Sequence, residues 1–177
     1  MRKLRAAFAG RSTWLLGFKP TVSPDQKFLE EAQRLGFPVE AEVVAGGNYA
    51  PALLQGEYLL ISGQVPRVTR ILSIGAVGEE VSLEQAQHAA QICALRGLSL
   101  ARQHLGSLSR VQAVARVGVY VRSAPRFTQQ AEVANAASDL LLRVFGESGR
   151  HTRTSVGVLQ LPGGASVEIE FVFRVSP

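Results

Sequence analysis

Two charged side chains stand in the most apolar stretch of the chain. Residues 151–170 read H-T-R-T-S-V-G-V-L-Q-L-P-G-G-A-S-V-E-I-E, which places Arg153 and Glu168 among valines, leucines and isoleucines. Charges rarely enter such a segment unless they are paired or put to use. A guanidinium can grip a carboxylate through two parallel hydrogen bonds. A carboxylate can orient a water and manage its proton. His151, two residues before Arg153, reads either as a proton relay or as a strand-start histidine at a sheet edge.

The elements that position this pair read as two strands joined by a turn at Leu161-Pro162-Gly163-Gly164. With that turn and no bulge, Glu168 lies opposite Gly157 and Arg153 opposite Val172. One face then carries Thr154, Val156, Val158, Val167, Ile169, Phe171 and Phe173 and packs under helices. The other carries Arg153, Ser155, Gly157, Glu168, Glu170 and Arg174. Arg153 and Glu168 share the face turned away from the helices, separated by roughly 13 Å at ~3.3 Å per residue. That is too far for one small ligand within a single hairpin, unless a subunit interface or a bulge closes the gap. The competing reading makes them solvated charges on an exposed sheet face.

Upstream, Ser23-Pro24-Asp25-Gln26 starts a short helix with a capping serine and a proline in the first turn; Gly36 ends it. Strands follow at 52–55 and 58–62, with a short one expected at 70–73. Ser82-Leu83-Glu84-Gln85 forms a capping box, and Leu83, Ala86, Ala90, Cys93, Gly97, Ala101 and Leu105 make one face of a helix of about 24 residues. Its small residues imply close approach to a sheet, and Cys93 reads as a core residue. Val111–Val121 alternates as a long strand. A second long helix is expected over 128–145, with Ala134, Ala137, Leu141 and Val144 buried. The pattern is an α+β layer, two long helices on one face of a mixed sheet.

At 177 residues with 46% hydrophobic and 19% charged residues, the chain reads as one ordinary globular domain. A single cysteine excludes a disulfide framework and suits a reducing, cytoplasmic compartment. His88, His104 and His151 lack metal-ligand spacing, and no apolar run approaches the ~20 residues of a membrane span. The pI of about 10 points towards nucleic acid only superficially. Residues 1–24 hold Arg2, Lys3, Arg5, Arg11 and Lys19 and no acid; removing those five from 19 bases leaves 14, equal to the 14 acids. The basic signal belongs to an N-terminal extension, 1–22, read as a dispensable, mobile arm or as an organelle presequence. Residues 23–177 form the domain. Its neutral charge, without a histidine pair or basic groove, offers little for RNA.

Together with S-G-Q-V-P at 62–66 and N-A-A-S-D-L-L at 135–141, the 151–170 stretch resembles the RidA/YjgF family of imine and enamine deaminases. The 25–36 helix and V-G-E-E-V-S-L-E-Q-A at 77–86 resemble a divergent branch, often labelled endoribonuclease-like or chorismate-mutase-like. The resemblance implies a chorismate-mutase-like protomer, assembled as a homotrimer with clefts between subunits. It implies hydrolysis of 2-imino acids to 2-oxo acids and ammonia without metal or organic cofactor. Arg153 would bind the substrate carboxylate and Glu168 the attacking water. Ser62 and Asn135 match further pocket residues. Ser155 stands where the family has a cysteine, and Leu53 where it has a tyrosine. These two departures keep open the alternative of a non-catalytic trimer that binds a small carboxylate or a protein.

Overall fold

The computed structural model describes residues 22–39, 42–44 and 46–176; the extension 1–22 lies outside them apart from Val22. Helix α1 (Pro24–Arg34) starts where the sequence places it. The Ser23 Oγ accepts from the Gln26 N–H, and the chain leaves the helix through Gly36 at φ 64°. Strands β1 (Ala52–Gln55) and β2 (Tyr58–Gln64) turn at Gly56, whose φ of 58° favours glycine. Helix α2 (Leu83–Leu105) carries the full capping box between Ser82 and Gln85 and ends on left-handed Gly106. Strand β3 (Val111–Arg122), helix α3 (Gln130–Phe145), strand β4 (Thr152–Val158) and strand β5 (Val167–Val175) complete the domain.

The five strands form one mixed sheet in the order β1-β2-β5-β3-β4. Every pairing is antiparallel except β3 with β4. Helices α2 and α3 cover one face. Against them β5 buries Val167, Ile169, Phe171, Phe173 and Val175, and β3 buries Val117, Val119 and Val121. Gly97 is the point of closest approach: a Cβ there would stand 2.5 Å from the Phe171 ring. The small-residue stripe of α2 is thus a contact surface for aromatic side chains. Helix α1 docks beside α3 through Phe28, 1% exposed, and through Glu31, which accepts from Arg143 Nε at 2.7 Å and Arg34 Nη2 at 2.6 Å.

The expected terminal hairpin is absent. Strand β4 pairs in parallel with β3, and β5 pairs with the other edge of β3, so β3 separates them. The reason is the helix between β3 and β4, which makes a β–α–β crossover whose two strands run parallel and adjacent. Residues 159–166 then pass over the end of β3. There Gly164 O accepts from Gly75 N, Ser166 N donates to Ser73 O and Arg122 N donates to Ser166 O. Two smaller expectations also fail. Residues 70–73 make only an isolated bridge, Arg67 to Ile71. In β3 the strict alternation is interrupted by register shifts between Val111 and Ala113 and between Val114 and Arg116, so Val114 turns into the core.

Candidate functional site

Because β4 lies on the far side of β3, its two faces are inverted from the hairpin reading. Arg153 is level with Val117, a core residue, so its side chain turns towards the helix layer at the sheet edge. There α3 receives it. Arg153 Nη1 donates to Asn135 Oδ1 at 3.0 Å and to Ser138 Oγ at 2.8 Å. Asn135 and Ser138 are three residues apart, hence on one face of α3. Ser138 also meets His151 Nε2 at 3.0 Å, while His151 Nδ1 lies 2.6 Å from Gly149 O. A carbonyl only accepts, so Nδ1 carries the proton and Nε2 accepts from the Ser138 hydroxyl. Burial, and then the Arg153 charge, hold His151 below the usual histidine range and keep it neutral.

This network fixes Arg153 through one nitrogen alone. Its Nε and Nη2 make no hydrogen bond among the described residues, and it has no carboxylate partner among them. A cleft of about 510 Å³ opens beside it, lined by Ser138, Leu142, Gly149, Arg150 and His151. Ser155 lies two residues on, half-buried on the same face and level with Val119.

Glu168 sits elsewhere. It is level with Tyr120 on the open face of β5. Two strand spacings of ~4.8 Å and three residue steps of ~3.3 Å put it roughly 14 Å from Arg153. The two residues therefore occupy opposite faces of the sheet, and the shared face expected from sequence is corrected. Glu168 accepts no hydrogen bond among the described residues. Burial, and then the neighbouring Glu170, push its carboxyl above the usual range. The β2 backbone is shaped to admit it: the register shifts between Ile61 and Gln64, and any side chain at Gly63 would collide with Glu168 Oε1. Ser62 holds the incoming loop, donating through Oγ to Ala50 O at 2.8 Å and through its amide to Pro51 O at 3.1 Å. Leu53 lies on the open face opposite Leu60 and is 55% exposed. Within one protomer, then, Arg153, Asn135 and Ser155 form one group, and Glu168, Ser62 and Leu53 belong to another region.

Sequence reasoning did not single out Ser138, although its spacing from Asn135 was the available signal. It also passed over Arg96, an arginine inside the buried run of α2, and Gly63, whose lack of a side chain makes room for Glu168.

The sheet and its two covering helices define a two-layer α+β domain, with Arg153 held by α3 at the β4 edge. The chain belongs to the family described as "YjgF/chorismate mutase-like, putative endoribonuclease", whose model matches residues 32–169. It is 44% identical over 147 residues to Protein TCP17 of Trypanosoma cruzi, covering 81% of this chain and 91% of that one. Among solved structures, a protein of unknown function from Agrobacterium tumefaciens superposes with a TM-score of 0.78 at 35% identity, covering 87% of this chain and 96% of that one. A protein from Shewanella oneidensis, titled a "putative endoribonuclease", gives 0.79 at 25% identity, over 86% and 99% of the two chains. No helix among the described residues is long and apolar enough to cross a membrane.

Proposed function

We propose that the protein hydrolyses imines or enamines derived from 2-amino acids, giving 2-oxo acids and ammonia, in clefts between the subunits of a homotrimer. The observation that carries this is the Arg153 fork, anchored by Nη1 and open at Nε and Nη2. A planar carboxylate fits that open edge in bidentate fashion. Glu168 lies on the other face, so a neighbouring subunit's Glu168 completes each site.

The residue types suit the step. A water oxygen bonds to the imine carbon while the C=N electron pair moves to nitrogen. Glu168 takes the proton that the water gives up and returns it to the nitrogen. The amino alcohol then collapses: its hydroxyl proton passes by way of Glu168 to the nitrogen, the C–N bond breaks, ammonia departs and the oxygen electron pair forms the carbonyl. A carboxyl raised above its usual range is better placed to hold and return a proton than an ordinary solvated one. An imine of a 2-oxo acid is already electrophilic, so orientation and proton management supply most of what is needed. Leu53 offers no polar atom to a ligand, and this favours the second reading, a trimer that binds a small carboxylate without turning it over.

The test is hydrolysis of 2-iminobutanoate, generated in situ, by wild type, Arg153→Lys, Arg153→Ala and Glu168→Gln. Arg153→Lys keeps the charge and loses the fork, so kcat/KM should fall about tenfold or more; Arg153→Ala should fall at least as far. Glu168→Gln should lower kcat more than it raises KM. Unchanged turnover in Arg153→Ala would overturn the reading. Binding without turnover in wild type would leave the second one.

A further inference from the structure

The cleft that holds Glu168 also holds two arginines that the reading above leaves unused. Arg96 projects from the middle of α2 and is only 9% exposed. Its Nε donates to Gln64 Oε1 at 3.2 Å and its Nη1 to the Arg67 carbonyl at 2.9 Å. Both partners are neutral. Nη2 makes no hydrogen bond, and no carboxylate lies within 4.0 Å of the guanidinium among the described residues. A buried cation without a counter-ion is costly, and natural proteins keep such groups paired or in use. The side chain lines a cleft of about 250 Å³ together with Arg67, Tyr49, Gly63 and Glu168. Arg67 adds a second cation, so two arginines stand against the single carboxyl of Glu168, which accepts a hydrogen bond from neither among the described residues. Burial first, and Arg67 among the neighbouring charges, lower the affinity of Arg96 for its proton. Both arginines are stabilised if an anion enters between them.

We propose that Arg96 and Arg67 form a second anion subsite, and that the substrate is a 2-imino acid bearing a second carboxylate at the far end of its chain. This rests on the proposed deaminase site: Arg153 takes the carboxylate next to the imine, Glu168 faces the imine carbon, and the Arg96–Arg67 cleft takes the distal one. The subsite is built from the helix layer upward. Arg96 reaches the cleft past the β2 bulge, and its two hydrogen bonds to Gln64 and the Arg67 backbone hold the fork in place.

The experiment is calorimetric titration of the full chain with 2-oxoglutarate and with 2-oxopentanoate, products of the same length that differ only in the distal carboxylate. Wild type should prefer the diacid by about tenfold or more, the factor expected for a hydrogen bond to a charged group. Arg67→Gln, an exposed position, should erase most of that preference and leave monoacid affinity unchanged. Arg96→Gln should do the same; if it fails to fold, Arg67→Gln decides. Monoacid binding with no diacid preference in wild type would overturn this inference and leave the deaminase reading standing. Failure of both acids to bind would overturn this inference, and the deaminase reading would then stand or fall on imine hydrolysis. Diacid binding that needs Arg67 but survives Arg153→Ala, in a protein without imine hydrolysis, would uphold the subsite and sink the deaminase reading.

Discussion

Glu168 is a side chain that is costly to the fold, and the proposed reaction would put that cost to use. Half-buried, beside Glu170 and without a hydrogen-bond donor among the described residues, its carboxyl is pushed above the usual range. A carboxyl whose folded pKa exceeds its unfolded one favours folding in the protonated state. Below the unfolded value of ~4.3 that advantage is fully present. As pH rises through the folded value it is lost, because the folded protein must then hold an unwelcome charge. Glu168→Gln removes the titration. The variant should therefore be more stable than wild type at pH 7 and lose that margin by about pH 4, measured as the urea midpoint across pH. A variant destabilised at pH 7 would show that Glu168 is held by an interaction in the fold. Stability gained together with turnover lost is the usual trade at a working carboxylate.

At the scale of elements, the helices were legible because their signals are local. Ser23, Gly36 and the Ser82–Gln85 box act within four residues of themselves, and each appears where the sequence places it. The pairing of β4 was not legible from its own residues. Two alternating strands around a Pro-Gly-Gly turn satisfy the hairpin pattern, and only the crossover through α3 decides against it. That single topological difference moves Arg153 from the open face to the α3 side. It is why Arg153 and Glu168 were recognisable as types but were expected on one face of the sheet. Ser138 and Arg96 remained hidden for another reason: a helix pattern shows which face is buried, not which polar group on it lacks a partner. Gly97, in contrast, was readable as a point of close approach. Gly97→Ala would add a Cβ 2.5 Å from the Phe171 ring, which is itself stacked on Phe173 with centroids 5.8 Å apart. The ring is buried, 1% exposed, so overpacking should outweigh the gain in helix propensity. A loss of about 1–3 kcal/mol is expected from urea unfolding. Unchanged or raised stability would mean that the helix–sheet spacing adjusts freely.

For the molecule as a whole, the open face of the sheet is a surface left exposed among the described residues. Helices cover one side. On the other, Leu53, Tyr58 and Leu60 are 55%, 47% and 41% exposed, next to Val172, Tyr120 and the Glu168–Glu170 pair. An apolar strip of this kind, on a sheet face that no helix covers among the described residues, is a surface for association. The proposed chemistry needs the same thing, since Arg153 and Glu168 stand on opposite faces of one protomer. Closed symmetry among identical copies would bury the strip and repeat the same composite site at each contact. Light scattering should therefore report three copies at micromolar concentration. Leu60→Lys places a charge in the strip without touching the core, because the Leu60 side chain points away from the helix layer that buries Leu59. It should shift the protein towards monomers, leave the far-ultraviolet spectrum of the protomer intact and abolish imine hydrolysis. Full activity in a monomeric Leu60→Lys protein would show that each chain carries a complete site. A monomeric wild type would remove the assembly from the mechanism altogether.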